Sequence, residues 1–330
     1  MPTLMRNIPP TRTFHNLAMR FLPLIVALVP SMIFAWGGDG HKQIADIAWT
    51  KLTPTAKAKL AKILDAGETL FRVVGGDVRD SFRNSSTFSD YMKGKMDTIY
   101  EDIIPGMNSR FNKNIESIGR EGVRCKTWHY YDIPIRFTGK APAVDSSNAE
   151  VALNLAISEL TKLSGQGLSD PKMACWWTYW INHIVGDLHQ PLHCVSSHEH
   201  DADGDAGGNK FKITSPDGEK PTNLHSFWDG GIGRAIGEER EKGKNPNVEK
   251  VTDRWSTDSA LIPAPELVKD LEPMSWIKSG ARLADRIVYG NLKAGDRPDM
   301  QYLFESSALC RKQAVLAGFR LAAILNKALG

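Results

Sequence analysis

The stretch His183-Ile-Val-Gly-Asp187-Leu-His189-Gln190-Pro191-Leu-His193 places four metal-capable side chains within eleven residues. His183 and Asp187 are four apart, so on a helix they share one face, one turn apart. Pro191 disfavours further helix and biases Gln190 toward extended backbone, which lets His193 turn back toward that face. The segment leading in, Met173–Leu188, is apolar on several faces and reads as a central buried helix. Imidazole and carboxylate donors without a thiolate suit a catalytic zinc site better than a Cys-rich structural one.

The rest of the chain is expected to be mainly α. Apolar periodicity across Gly40–Leu64 is broken at Thr53-Pro54 into two helices, and Ala149–Leu163, Ser275–Tyr289 and Ser307–Leu329 read as further helices. Strand signals are few, with a short hairpin expected at Phe211–Thr214. Residues 84–124, 196–222 and 236–250 read as long loops. Residues 36–330 carry no linker or repeat, which implies one helical domain.

Residues 1–35 hold Arg6, Arg12 and Arg20, no acid, and an apolar run ending at Ala35, the pattern of a secretory signal peptide. Pro23 and Pro30 break that run, so it is not expected to span a bilayer. The mature chain is therefore expected to be secreted or periplasmic. Of 41 basic and 38 acidic residues the leader takes three arginines, leaving 38 of each. A neutral protein exerts no general pull on polyanions, so a phosphate ester would have to be drawn by bound cations. Four cysteines, Cys125, Cys175, Cys194 and Cys310, permit two disulfides in an exported chain, one of which could brace the shell at Cys194.

Further donors match in type. Cleavage after Ala35 would free the amine of Trp36, which with its own carbonyl can chelate a zinc ion, with His41 as a further donor. His129 sits in Trp128-His-Tyr-Tyr-Asp132-Ile-Pro134, and His225-Ser-Phe-Trp-Asp229 repeats the four-residue spacing. The loop His198-Glu-His-Asp-Ala-Asp-Gly-Asp205 is either a solvated flap or a site for an extra cation.

Together Trp36…Gly40-His41, Trp128-His129-x-x-Asp132-x-Pro134, His183-x-x-x-Asp187-x-His189-Gln-Pro-Leu-His193, Gly207-Gly208-Asn209 and Asn223-Leu-His225-x-x-Trp228-Asp229 resemble the zinc-dependent class I nucleases. These are single-strand-specific nucleases/3′-nucleotidases of the S-one/P-one type, structural cousins of bacterial zinc phospholipase C. The resemblance runs in order from Trp36 to the closing Ala317–Asn326. It implies a single helical domain with three zinc ions, whose substrates are single-stranded nucleic acid and 3′-nucleotides. No stable protein partner is implied. One zinc would take His129, His183, Asp187 and an upstream aspartate. A second would take Trp36, His41 and the bridging Asp187, and a third His193, His225 and Asp229. His189 would orient the shell rather than ligate.

The upstream aspartate is open between Asp77 and Asp80 in Gly75-Gly-Asp-Val-Arg79-Asp-Ser-Phe-Arg83. Asp80 is preferred because it keeps the family's Asp-x-x-Arg spacing with Arg83. With water's pKa lowered by coordination, attack on phosphorus is expected to leave a 5′-phosphate and a free 3′-hydroxyl. Asp187 is central to that chemistry, and Arg83 or Arg79 would neutralise phosphate charge. Asp132 is the implied base-contacting carboxylate, with Tyr130, Tyr131 and Phe227 as stacking candidates. Rival readings are a zinc phospholipase C and a non-catalytic exported metal-binding protein.

Overall fold

Thr53-Pro54 does stop the first helix. In the computed structural model, which describes residues 36–71, 76–92, 125–218, 220–239 and 247–330, α1 (Gly38–Lys51) gives way to α2 (Pro54–Phe71). The expected leader 1–35, most of the loop 84–124 and part of the loop 236–250 lie outside the described residues.

α3 (Val78–Ser85) starts where the Asp77 side chain accepts from the Asp80 amide, a standard N-cap. α4 (Phe88–Met92) follows after one turn, inside a stretch whose sequence reads as loop. Its periodicity is too short to register, yet Phe88 packs edge-on to Tyr179, with ring centroids 5.0 Å apart. α5 (Ala149–Gly165) is capped by Asn148, and α6 (Pro171–Asp187) by Asp170 with proline in its first turn.

Every residue of α6 from Met173 to Asp187 is buried, as its all-round apolar character predicts. Trp176 and Trp180 on this helix, together with Trp128, form a chain of edge-to-face aromatic contacts. The helix therefore places His183 and Asp187 inside the molecule, with α2 and α5 among its neighbours.

The strands are few and short. β1 (Ile133–Ile135) pairs in parallel with β2 (Val195–Ser197), in register Ile133 to Val195, a pairing with no signature in the sequence. The expected hairpin forms from β3 (Lys212–Thr214) and β4 (Pro221–Asn223). β4 runs into α7 (Leu224–Asp229), followed by α8 (Gly231–Glu238). The loop expected at 236–250 gives way to α9 (Val248–Thr257), capped by Asn247.

α10 (Pro265–Lys269) and α11 (Pro273–Leu283) lead through a π-helical turn at Ala284–Tyr289 to the closing α12 (Met300–Leu329), which starts earlier than its apolar pattern suggests. From Trp36 onward the described residues pack as one unit. Among them no helix is long and apolar enough to cross a membrane.

Cys175, Cys194 and Cys310 are buried free thiols, contrary to the expected disulfides. The reason is local: Cys194 faces Gly280, where an added Cβ would stand 2.5 Å from its Sγ, and its thiol is directed at the carbonyl of Leu188. The side chain of Cys125 lies outside the described residues.

Candidate metal centre

Three groups of histidine and aspartate converge in the interior. They are His41–Asp90–His183, His129–His183–Asp187 and His193–His225–Asp229, the donor atoms within each lying within 4.8 Å of one another. The first two share His183. Helical spacing brings His183 Nε2 to 3.1 Å from Asp187 Oδ2, and His129 Nδ1 reaches the same oxygen at 3.1 Å. From α1, His41 Nε2 stands 3.3 Å from the other oxygen of Asp187, its ring stacked on His183 at 4.2 Å. This approach requires Gly186, because a Cβ there would lie 2.6 Å from His41 Nδ1.

The third group is assembled by the chain reversal after α6. The His193 amide donates to the Gln190 carbonyl, and Gln190 Nε2 donates to Asp229 Oδ1 at 2.8 Å. His225 Nε2 stands 3.4 Å from Asp229 Oδ2 across one turn of α7. The β1–β2 pair stitches the groups together, since the Tyr131 amide donates to the His193 carbonyl while His193 Nδ1 donates to the His129 carbonyl. Gly207 adopts φ +62°, and its carbonyl accepts from His225 Nδ1, which explains the Gly-Gly-Asn motif.

His183, His193 and His225 thus spend Nδ1 on the backbone carbonyls of Ser86, His129 and Gly207. This fixes the tautomer and turns Nε2 inward, the arrangement of metal-binding imidazoles. Both ring nitrogens of His41, Asp187 Oδ1, His193 Nε2 and Asp229 Oδ2 are buried without a hydrogen-bond partner. Such orphaned donors and acceptors are costly in a native interior unless a ligand satisfies them.

Electrostatics agree. Burial alone would raise the Asp187 carboxyl, but His183 and His193 hold it well below the usual carboxylate range. Burial would lower His183, yet Asp187 and Asp90 push it up to about 9. His41, by contrast, is lowered by burial and by the neighbouring charge of His183. Imidazoles therefore compete for protons around two carboxylates, a competition that divalent cations would relieve by replacing the protons. The donors are nitrogen and oxygen only, which fits zinc.

Asp90 is the residue that the sequence did not reveal. Its side chain is 1% exposed, and Oδ1 lies 3.6 Å from both His129 Nδ1 and His183 Nε2. It occupies the position expected of the upstream aspartate, and neither Asp77 nor Asp80 does. Asp77 is exposed and capping α3, while Asp80, 36% exposed, pairs with Arg83 at 2.7 Å. Asp-x-x-Arg spacing could not find Asp90, since the residue three further on is Lys93.

Arg79 and Arg83 grip the fully buried Asp46, Nε of Arg83 at 2.6 Å and Nε of Arg79 at 3.0 Å. Among the described residues no hydrogen bond or ion pair joins either arginine to the three groups. Trp36 is fully buried against Gly40 and Gly231, and the following Gly37 amide donates to the carbonyl of Asp229. The described chain thus begins beside the third group.

A cleft of about 230 Å³ is lined by Tyr130, which follows His129 in the chain, and by Asp132, Asp145 and His198 among others. Burial pushes the Asp132 carboxyl up to about 7, partly opposed by His193. Tyr131 packs against the core instead. Phe227, expected as a stacking platform, is 4% exposed beneath Arg234, whose guanidinium lies 3.9 Å from its ring centre. It is a core side chain because its position on α7, between His225 and Asp229, turns it toward Trp228 and Tyr302.

The acidic loop is a hydrogen-bonded flap. Asp205 accepts from the Ser197 amide and Tyr289 hydroxyl, and Lys210 pairs with Asp201. His189 stays outside all three groups. Its Nδ1 donates to the Val185 carbonyl, and burial together with Arg320 drives its pKa down to about 3.

Comparisons with known proteins agree with this geometry. A sequence model of the family described as S1/P1 Nuclease matches residues 36–330. The chain is similar to Endonuclease 4 of Arabidopsis thaliana, 30% identical over 153 residues, covering 45% of this chain and 48% of that protein. Endonuclease 2 of the same plant is 22% identical over 313 residues, covering 90% and 92%. Nuclease S1 of Aspergillus oryzae is 26% identical over 215 residues, covering 64% and 59%. The aligned stretch spans about half the length of Endonuclease 4 and of the similar Endonuclease 3.

Proposed function

Because the chain belongs to the S1/P1 nuclease family, we propose that it is an exported, zinc-dependent phosphodiesterase. It would cleave single-stranded DNA and RNA to 5′-phosphorylated products and release phosphate from 3′-nucleotides. The observation carrying this reading is the convergence of three His/Asp groups, two of them sharing His183. The basic, apolar stretch before Trp36 supports export.

His129, His183, Asp187 and Asp90 would hold one zinc ion. His41, Asp187 and the Trp36 backbone would hold its neighbour, and His193, His225 and Asp229 a third. Zinc bound there lowers the pKa of water toward neutrality and offsets phosphate charge. The protein's own contribution is positional. Asp187, kept ionised by its imidazole neighbours, ties the first groups together. Arg83 is the proposed phosphate-neutralising group by its place in the sequence, and it would have to leave Asp46 and Asp80 to serve. In the cleft, Tyr130 offers a ring for stacking, and Asp132 a carboxyl able to exchange hydrogen bonds with a base edge. A stacked duplex hides its base faces, so unpaired strands are favoured.

The test combines metal analysis and N-terminal sequencing of the mature protein with parallel assays on single-stranded DNA, RNA, 3′-AMP and phosphatidylcholine. Three zinc ions per chain, a start at Trp36 and nucleotide release are expected. Lipid cleavage without nucleotide release would overturn the assignment, as would full hydrolysis by Asp187→Ala.

A further inference from the structure

A buried cation stands behind the reversal that joins the groups. Arg320 on α12 is 4% exposed and lies over the ring of Trp276, 4.8 Å from its centre. Its Nε donates to the carbonyl of Leu267 at 2.9 Å, and Nη2 lies 3.7 Å from Asp270 Oδ2. Nη1 meets His189 Nε2 at 2.9 Å. A guanidinium only donates, so Nε2 of His189 must accept and Nδ1 must carry the proton. That proton has its own acceptor, the carbonyl of Val185 at 2.7 Å. His189 is thereby clamped from both sides, with Trp276 tilted against its ring at 5.1 Å.

His189 lies in the turn that follows α6. Its amide donates to the Gly186 carbonyl, and the Gln190 amide donates to that of Asp187. Two residues upstream lies Asp187 of the second group, 3.3 Å from His41 of the first, while Gln190 and His193 serve the third. Whatever holds His189 holds the reversal between the groups.

We infer that Arg320 is a positioning residue for the metal centre: by donating to His189 Nε2 it sets where the reversal carries Gln190 and His193 relative to Asp187. The inference rests on the zinc reading above. It assigns a role to α12 and the α10–α11 segment, which contribute no donor to the three groups. Partners that hydrogen-bond a metal ligand directly change metal affinity by roughly 10–100-fold when removed. Arg320, acting through His189, stands one residue further out, so the lower end of that range is expected.

The test uses the full mature chain with zinc as the probe. Zinc is titrated against a chromophoric chelator in wild type, Arg320→Met, Arg320→Lys and His189→Leu, well below each melting temperature. Arg320→Met is expected to release one of three ions about 10-fold more readily, with kcat reduced and KM little changed. Arg320→Lys, which keeps one donor, should recover part of the loss. Where Arg320→Met fails to fold, His189→Leu serves in its place and should show the same single weakened ion. Nitrogen-15 shifts of His189 in wild type should report the Nδ1-protonated tautomer with and without zinc.

A protonated Nε2 would overturn the inference. So would variants of lowered melting temperature that bind three ions with wild-type affinity. Wild type that fails to bind zinc would sink the functional reading as well, which separates the two failures.

Discussion

Asp90→Asn tests the centre where structure and sequence spacing disagree most. The change preserves side-chain size and removes one charge from a point 3.6 Å from His129 Nδ1 and His183 Nε2. Two unit charges about 4 Å apart at an effective dielectric near 20 interact by roughly 4 kcal/mol. A zinc ion there would carry two charges and lie closer. Desolvation and the carboxamide oxygen that asparagine retains offset part of that gain, so the unit-charge figure sets the scale of the carboxylate's contribution. Its loss should weaken binding at that position by roughly three orders of magnitude. Competition between the protein and a chelator of known affinity measures this directly.

Asp77→Asn and Asp80→Asn are the controls. Asparagine caps a helix about as well as aspartate, so the first should change stability by only a few tenths of a kcal/mol. The second loses a part-exposed pair with Arg83, worth about 0–1 kcal/mol. Neither should alter zinc affinity. If Asp90→Asn binds zinc like wild type while Asp80→Asn loses an ion, the assignment of Asp90 is wrong.

Other outcomes follow from the same structure. The Asp132 carboxyl, raised from 3.8 to about 7, favours folding while protonated, and this contribution is lost as pH rises through about 7. Urea unfolding of Asp132→Asn should therefore show a smaller fall in stability between about pH 4 and pH 7 than wild type shows. Phe227→Ala should cost about 3–5 kcal/mol of stability as a core truncation, whereas Phe227→Leu should leave KM for a 3′-nucleotide unchanged. Tyr130→Ala should instead raise that KM, by an amount corresponding to about 1–3 kcal/mol of stacking. A thiol reagent should reach Cys175, Cys194 and Cys310 only after denaturation, because all three are buried and unpaired.

Much of the centre was legible because its donors obey local rules. His183 with Asp187, and His225 with Asp229, are pairs whose spacing places them on one helical face whatever surrounds them. The apolar character of Met173–Leu188 likewise required a buried helix, and with it an interior site. The hairpin was visible through the short strand signal at Phe211–Thr214. The parallel pairing of Ile133–Ile135 with Val195–Ser197 was not, since parallel partners are distant in sequence and too short here to alternate visibly. Phe227 illustrates the opposite error. An aromatic between two donor residues suggests a platform, but the turn of α7 buries it beneath Arg234.

By itself the sequence determined the donor chemistry, nitrogen and oxygen without sulfur, and the helical spacings that present it. Tertiary structure alone decided which aspartate completes the first groups. Asp80 carries the familiar spacing, but a partly exposed ion pair claims it at low cost, as helix capping claims Asp77. Asp90 reaches the imidazoles because α4 packs on α6 through Phe88 and Tyr179, a contact between residues far apart in the chain. Tertiary structure also decided that His189, identical in type to the donors beside it, faces a buried arginine 131 residues away. Side-chain type is a local property of the chain, whereas the partner that fixes a tautomer or a charge is a property of the fold.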